Sequence, residues 1–327
     1  MVTRALAILI LSTTCLSGAG WDAAAAAGYL DGRQKEWFSW PRAKTPEGTC
    51  VSCHGGMPYL LARPALRKKL GESQPTEWET KLLDRLRTHA GDERKVNIQG
   101  PEIIFGALFL AKEDPNGDAT RKAHGQMWSM QLHDGDLKGI WQWYSAKLDP
   151  WESQGAFSFG AAMGTLAAGT AKSGSAESAE VVRWFDAHAK EVSLHSRLAL
   201  LWASSRQSAL LDAAAKRAVV DEVLSNQLAD GSWTIQSLGP WMEHPDAPEQ
   251  PTGGHPYATA FATFVLRECG VAPQATAKAR DWLAGHQDKE TGGWFAPSMN
   301  KKYPAGSVES KFMEDAATSF AVLALVD

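Results

Sequence analysis

Apolar residues recur every three to four positions over most of this chain, the spacing that lays one stripe along a helix. Helical stretches are predicted over residues 23–40, 76–90, 101–112, 119–130, 154–168, 176–190, 194–205, 210–226, 255–269, 275–286 and 308–325. A further helix follows a short cysteine motif and carries Arg63 and Arg67. No segment alternates apolar and polar residues between hairpin turns, so the expected class is all-α. Residues 101–112 are apolar nearly all round, which predicts a helix covered on every side. Breakers fall between the elements: Asp114-Pro-Asn-Gly117, Asp149-Pro150, 169–174 and the Pro/Gly-rich 240–256.

Fourteen tryptophans are the compositional oddity, and several of them recur in a pattern. Gln227-Leu-Ala-Asp230-Gly231-Ser232-Trp233 is the cleanest copy, with looser ones at Gln131–Trp141 and Gln287–Trp294, each behind a helical stretch. Glycine ends a helix at little steric cost, Gln can bond the turn, and Trp folds back as a large packing surface.

Q-x-x-D-G-S-W is the QW motif, and over residues 102–326 the chain resembles the squalene–hopene cyclase and prenyltransferase superfamily. The resemblance implies an α/α toroid of inner and outer helices, which with about eleven stretches counted is close to a six-pair ring. It also implies an apolar cavity suited to an isoprenoid or lipid-like ligand, with Trp202, Phe157, Phe159, Phe261, Phe264 and Phe320 as lining or ordinary core. The D-x-D-D acid of the cyclases is absent. Asp134, Asp136, Glu243, Asp246, Glu314 and Asp315 read as solvated or capping groups, and no zinc-ligand trio stands at recognisable spacing.

Cys50-Val51-Ser52-Cys53-His54 spells C-x-x-C-H, the attachment signature of a c-type haem. Two thiols at that spacing can each form a thioether with a haem vinyl group, and the next imidazole reaches the iron. One covalent haem c is therefore expected, bound by Cys50 and Cys53 with His54 as the metal ligand. A dithiol or disulfide pair beside a structural histidine is the alternative. A distal ligand would come from His89, His124, Met127, Met130 or His133, or be absent. Arg63 and Arg67 are expected as exposed helix residues or partners of haem propionates. Cys269 reads as a small buried hydrophobe.

Residues 1–20 carry Arg4, an apolar run from Ala5 to Leu11 and small residues at 17–19, the pattern of a cleaved signal peptide. A periplasmic or secreted chain is expected, with Cys15 leaving in the signal and no transmembrane segment after cleavage. Net charge is −4 without a basic stripe, which gives nucleic acid no footing. Residues 21–95 are expected to form a haem-attachment segment packed on a toroid of residues 96–327. The front segment resembles that of bacterial proteins joining C-x-x-C-H to a cyclase-like toroid, which implies no particular activity. Three functions are compatible with these residues. The first is a haem protein that oxidises, or passes electrons in connection with, an apolar ligand, with a partner oxidoreductase. The second is an electron carrier or binding module with the toroid as docking scaffold, and the third a non-redox cyclase or isomerase.

Overall fold

The computed structural model describes residues 20–46, 48–92 and 99–327. The expected signal peptide and the expected boundary near residue 95 fall outside these residues. Twelve α-helices are described: α1 (Ala23–Ser39), α2 (Gly56–Leu70), α3 (Glu77–Thr88), α4 (Gln99–Glu113), α5 (Asp118–Ser129), α6 (Ala156–Thr170), α7 (Ser175–Ala187), α8 (Leu194–Ser204), α9 (Ala213–Ser225), α10 (Pro256–Glu268), α11 (Pro273–Gly285) and α12 (Phe312–Leu325). The only strands among the described residues are β1 (Lys44–Thr45) and β2 (Gly48–Thr49), a two-residue antiparallel pair.

The helices start where the sequence supplies caps. Asp22 accepts from the Ala25 amide, Ser193 from Ser196, and Thr76 and Glu79 form a reciprocal capping box on α3. The even-numbered helices form the inner ring. α4 packs on α6, α6 on α8, α8 on α10, α10 on α12 and α12 on α2, with α3 bridging α2 to α4. Inner helices are buried nearly all round, as in α6 from Ala156 to Gly169, whereas outer helices bury one stripe, Val219 and Val223 on α9. The fold is an α/α toroid. The front segment supplies α1, α2 and α3, and α1 and α2 both pack on α12, so the helix after the cysteine motif completes six pairs.

The Gln–Trp turns tie neighbouring pairs together. Gln131 Nε2 donates to Gly139 O (2.8 Å) and Glu177 O (3.0 Å), and Gln227 Nε2 to Gly231 O (2.8 Å) and Ala275 O (3.0 Å). Gln287 Nε2 donates to Gly292 O and to Asp22 O, both at 2.8 Å. In each copy the Trp indole returns to the helix before it: Trp141 to Met127 O, Trp233 to Val223 O and Trp294 to Leu283 O. Each turn therefore ends one outer helix and holds the start of the next.

The aromatic residues expected around a central cavity pack against one another. Trp202 lies 4.9 Å from Phe264, and Phe320 lies 5.1 Å from Phe261 and 5.8 Å from Phe264, between ring centroids.

Candidate functional site

One end of the ring, where α2, α4, α6 and α12 begin, carries a cleft of about 400 Å³. Five segments build it: Trp37–Thr45 at and after the end of α1, Cys50–His54 before α2, Pro101 in α4, Tyr144–Glu152 before α6 and Lys301–Phe312 leading into α12. Its walls hold Trp37, Trp40, Tyr144, Tyr303 and Phe312, and two carboxylates, Glu152 and Glu309.

Cys50, Cys53 and His54, in the segment that leads into α2, all line this cleft. Ser52 Oγ accepts the amides of Gly55 and Gly56, which fixes the start of α2. The Val51 amide donates to Glu102 Oε1 at 3.1 Å, and Glu102 pairs with Arg85 through two bonds of 3.0 Å. Trp37 Nε1 donates to the Cys50 carbonyl at 2.8 Å. The His54 ring stacks on Phe312 at 3.6 Å and meets Trp37 edge-on, and its Nδ1 is buried without a hydrogen-bond partner among the described residues. Burial, with the positive Arg33 nearby, lowers the His54 pKa to about 3. Burial also pushes both thiols well above their ordinary range, with the negative Glu102 and Glu152 adding to it. Raised in this way the thiols stay protonated, which disfavours dithiol exchange or thiolate–metal binding. No cluster of three His, Cys, Asp or Glu that could hold a metal ion occurs among the described residues.

The remaining haem-related expectations scatter over the fold. His124 bonds the Ala107 carbonyl, Met127 is buried core, and His89 pairs with Asp92 at the end of α3. None of these, nor Met130 or His133, lines the cleft. Arg63 is buried in ion pairs with Asp31 and Glu72, and Arg67 pairs with Glu79. Glu314 and Asp315 are buried, not solvated: Asp315 accepts Arg33 Nε at 2.7 Å and Tyr29 Oη at 3.0 Å.

Glu152 was not singled out from the sequence. It closes a tight turn in which its amide donates to Leu148 O (2.8 Å) and the Leu148 amide to Glu152 O (2.9 Å). Burial raises its pKa from 4.5 to about 7. Glu309 is held by the guanidinium of Arg42. The one sequence signal for Glu152 was an acidic residue in a Pro/Trp-rich connection, Asp149-Pro-Trp-Glu152.

No protein-family profile and no curated protein matches the sequence. Solved structures do match the fold. The GH76A alpha-1,6-mannanase from Salegentibacter sp. HEL1_6 aligns over 93% of this chain and 100% of its own, with TM-score 0.54 and 7% identity. An inactive variant of that enzyme in complex with alpha-1,6-mannotriose aligns over the same shares with TM-score 0.56 and 9% identity. Another inactive variant, with alpha-1,6-mannotetrose, covers 93% of this chain and 99% of its own, with TM-score 0.54 and 9% identity.

These matches correct the family resemblance and the function drawn from it. The ring aligns along nearly its whole length with the rings of glycoside hydrolases, so the likeness to cyclases fused to a haem segment does not stand. With it fall the haem-redox function and its electron-carrier and cyclase alternatives. The physical reason lies in the Gln–Trp turn: it ties successive outer helices of a ring and so reports architecture, not chemistry. No helix among the described residues is long and apolar enough to cross a membrane.

Proposed function

We propose that the cleft at the ring mouth binds a glycan and hydrolyses a glycosidic bond, with Glu152 and Glu309 as the carboxyl pair. The observation that carries this reading is the convergence of those two groups, from the loops before α6 and α12, in one cleft walled by Trp37, Trp40, Tyr144 and Tyr303. Indole and phenol faces suit the C–H faces of a sugar ring. Bond cleavage needs one carboxyl that holds a proton and one that has lost it. Burial leaves Glu152 substantially protonated near neutral pH, so it donates to the departing glycosidic oxygen. Glu309, paired with Arg42, takes the proton of the attacking water or attacks the sugar itself. The C–O bond breaks, water supplies hydroxyl to the anomeric carbon, and no redox partner is needed. The structurally similar mannanases make alpha-1,6-linked mannan the first substrate to test. Export through residues 1–20 belongs to the same proposal, since glycan polymers lie outside the cytoplasm.

The test is hydrolysis of alpha-1,6-mannotetraose and a panel of aryl glycosides by the mature protein and by Glu152→Gln. Cleavage that falls at least 100-fold in the variant supports the assignment. Equal rates, or no cleavage of any glycoside, overturns it.

A second occupant is favoured by one specific observation: Cys50, Cys53 and His54 all reach this same cleft. We propose covalent attachment of haem c as the alternative, with no redox turnover attached to it. The residues fit the group in kind. Cys50 and Cys53 would hold the group through two thioethers, and the His54 ring, whose Nδ1 has no hydrogen-bond partner among the described residues, would ligate its iron. A bound haem supplies an iron centre. Haem and glycan would compete for one space, so the mass of the protein from a strain that matures c-type cytochromes separates them. A haem-sized increment retained under denaturation supports attachment, and bare thiols reject it.

A further inference from the structure

Asn300 lies before α12 and is 9% exposed, on the same loop as Lys301, Tyr303 and Glu309 of the cleft. Its side chain spans to the opposite loop and reads both main-chain polar groups of one residue, Asp149. The Asp149 amide donates to Asn300 Oδ1 at 2.9 Å, and Asn300 Nδ2 donates to the Asp149 carbonyl at 2.8 Å. Asp149 begins the four-residue turn that ends in Glu152. Its carboxylate accepts the hydroxyl of Ser153 and the amide of Met242, both at 2.5 Å, which brings in a third loop. On the inner side, Trp151 Nε1 donates to Tyr257 Oη at 3.2 Å, and Tyr257 Oη lies 2.7 Å from His195 Nε2. The turn is thereby fixed to α10 and α8. What ties it to the loop of Glu309 is the Asn300 amide.

We propose that Asn300 is a positioning residue of the cleft, pairing with the Asp149 main chain to set where Glu152 stands relative to Glu309. This rests on the hydrolase reading for its consequence in catalysis, but not for the hold itself. A primary amide is the side chain suited to the place, because its oxygen accepts from the Asp149 N–H while its nitrogen donates to the Asp149 carbonyl. Aspartate has the same shape yet sets an oxygen against the Asp149 carbonyl. Serine is too short to meet both groups.

The experiment compares wild type, Asn300→Asp and Asn300→Ser in two measurements. In the first, Asn300→Asp lowers kcat on a cleaved glycoside by about 10- to 100-fold and changes KM by less than about threefold, because misplacement of a reacting group acts on the chemical step. A kcat equal to wild type in both variants overturns the positioning role. The second is amide hydrogen exchange, which is independent of any substrate. Leu148 and Glu152 exchange at least about tenfold faster in both variants, while α6 and α12 amides keep their protection. Unchanged exchange at Leu148 and Glu152 overturns the hold. If wild type cleaves no glycoside, the hydrolase reading fails and the exchange measurement still decides the inference.

Discussion

Gln287 and Asp22 close the ring by reading each other's polar groups. Gln287 Nε2 donates to the Asp22 carbonyl at 2.8 Å, and the Asp22 amide donates to Gln287 Oε1 at 2.6 Å. The residues are 265 apart in sequence, so this contact is the seam at which the last outer helix, α11, meets the first, α1. Trp21 lies against Trp294 in the same seam, with ring centroids 6.2 Å apart.

Gln287→Ala therefore loses bonds at the seam that an ordinary loop glutamine would not have. The expected cost is about 1–3 kcal/mol, measured by urea unfolding, with a matching rise in exchange at the N-terminus of α1. A midpoint equal to wild type would show that the seam is held by packing alone.

Gly292 in the same turn has φ of +81°, and a Cβ there would stand 2.4 Å from the Ala25 carbonyl oxygen. Gly292→Ala should destabilise more than Gln287→Ala, because backbone must move as well as adopt a disfavoured conformation. Thermal unfolding of the two variants side by side tests the order.

Glu102 holds the cysteine motif through the Val51 amide and pairs with Arg85, the side chains being 5% and 7% exposed. Glu102→Ala leaves a buried guanidinium with its main partner gone, a loss on the order of 3–5 kcal/mol. The conservative Glu102→Gln should recover part of it. Equal stability of both variants and wild type would reject the pair as a support of the motif loop.

The Glu152 carboxyl gives a pH signature. Its pKa is raised in the fold, from 4.5 to about 7, so between those values the folded state binds more protons than the unfolded chain. Its contribution to stability is therefore least unfavourable below about pH 4.5 and worsens as pH rises through 7. Glu152→Gln removes the ionisation. The variant should gain on the order of 2–3 kcal/mol relative to wild type at pH 8, and the gain should vanish near pH 4. A difference that does not change with pH would place Glu152 in water.

Cys53 is buried and Cys50 half-buried, and with their thiols held protonated both should resist alkylation. In the haem-free protein at pH 8, iodoacetamide should modify them at least about tenfold more slowly than in urea-unfolded chain. Labelling at the unfolded rate would mean that the thiols are open and ionised.

Much of the ring was legible in the sequence because its signal is local. The apolar period of each helix, the Asp22, Thr76 and Ser193 caps, and the Gly–Trp turns all act within a few residues. The partners of those turns were not legible. Nothing near Gln131 or Gln227 names Glu177 or Ala275, because the bonds run to carbonyls that every residue possesses. The haem-redox reading went astray for a related reason: C-x-x-C-H and the Gln–Trp turn each name a local chemistry or a way of joining helices, and neither fixes what a cleft takes.

The sequence by itself determined the all-α class, the helix starts and stops, and the repeated turns, since these follow from side-chain period and backbone preference. Only the tertiary structure decided that α1 and α2 close the ring and that Asn300 meets Asp149. It alone set Glu152 and Glu309, 157 residues apart by their numbering, in one cleft. The physical reason is that burial and opposition are properties of a closed ring. A carboxyl acquires an altered proton affinity from whatever distant segments surround it, and no stretch of chain contains that information.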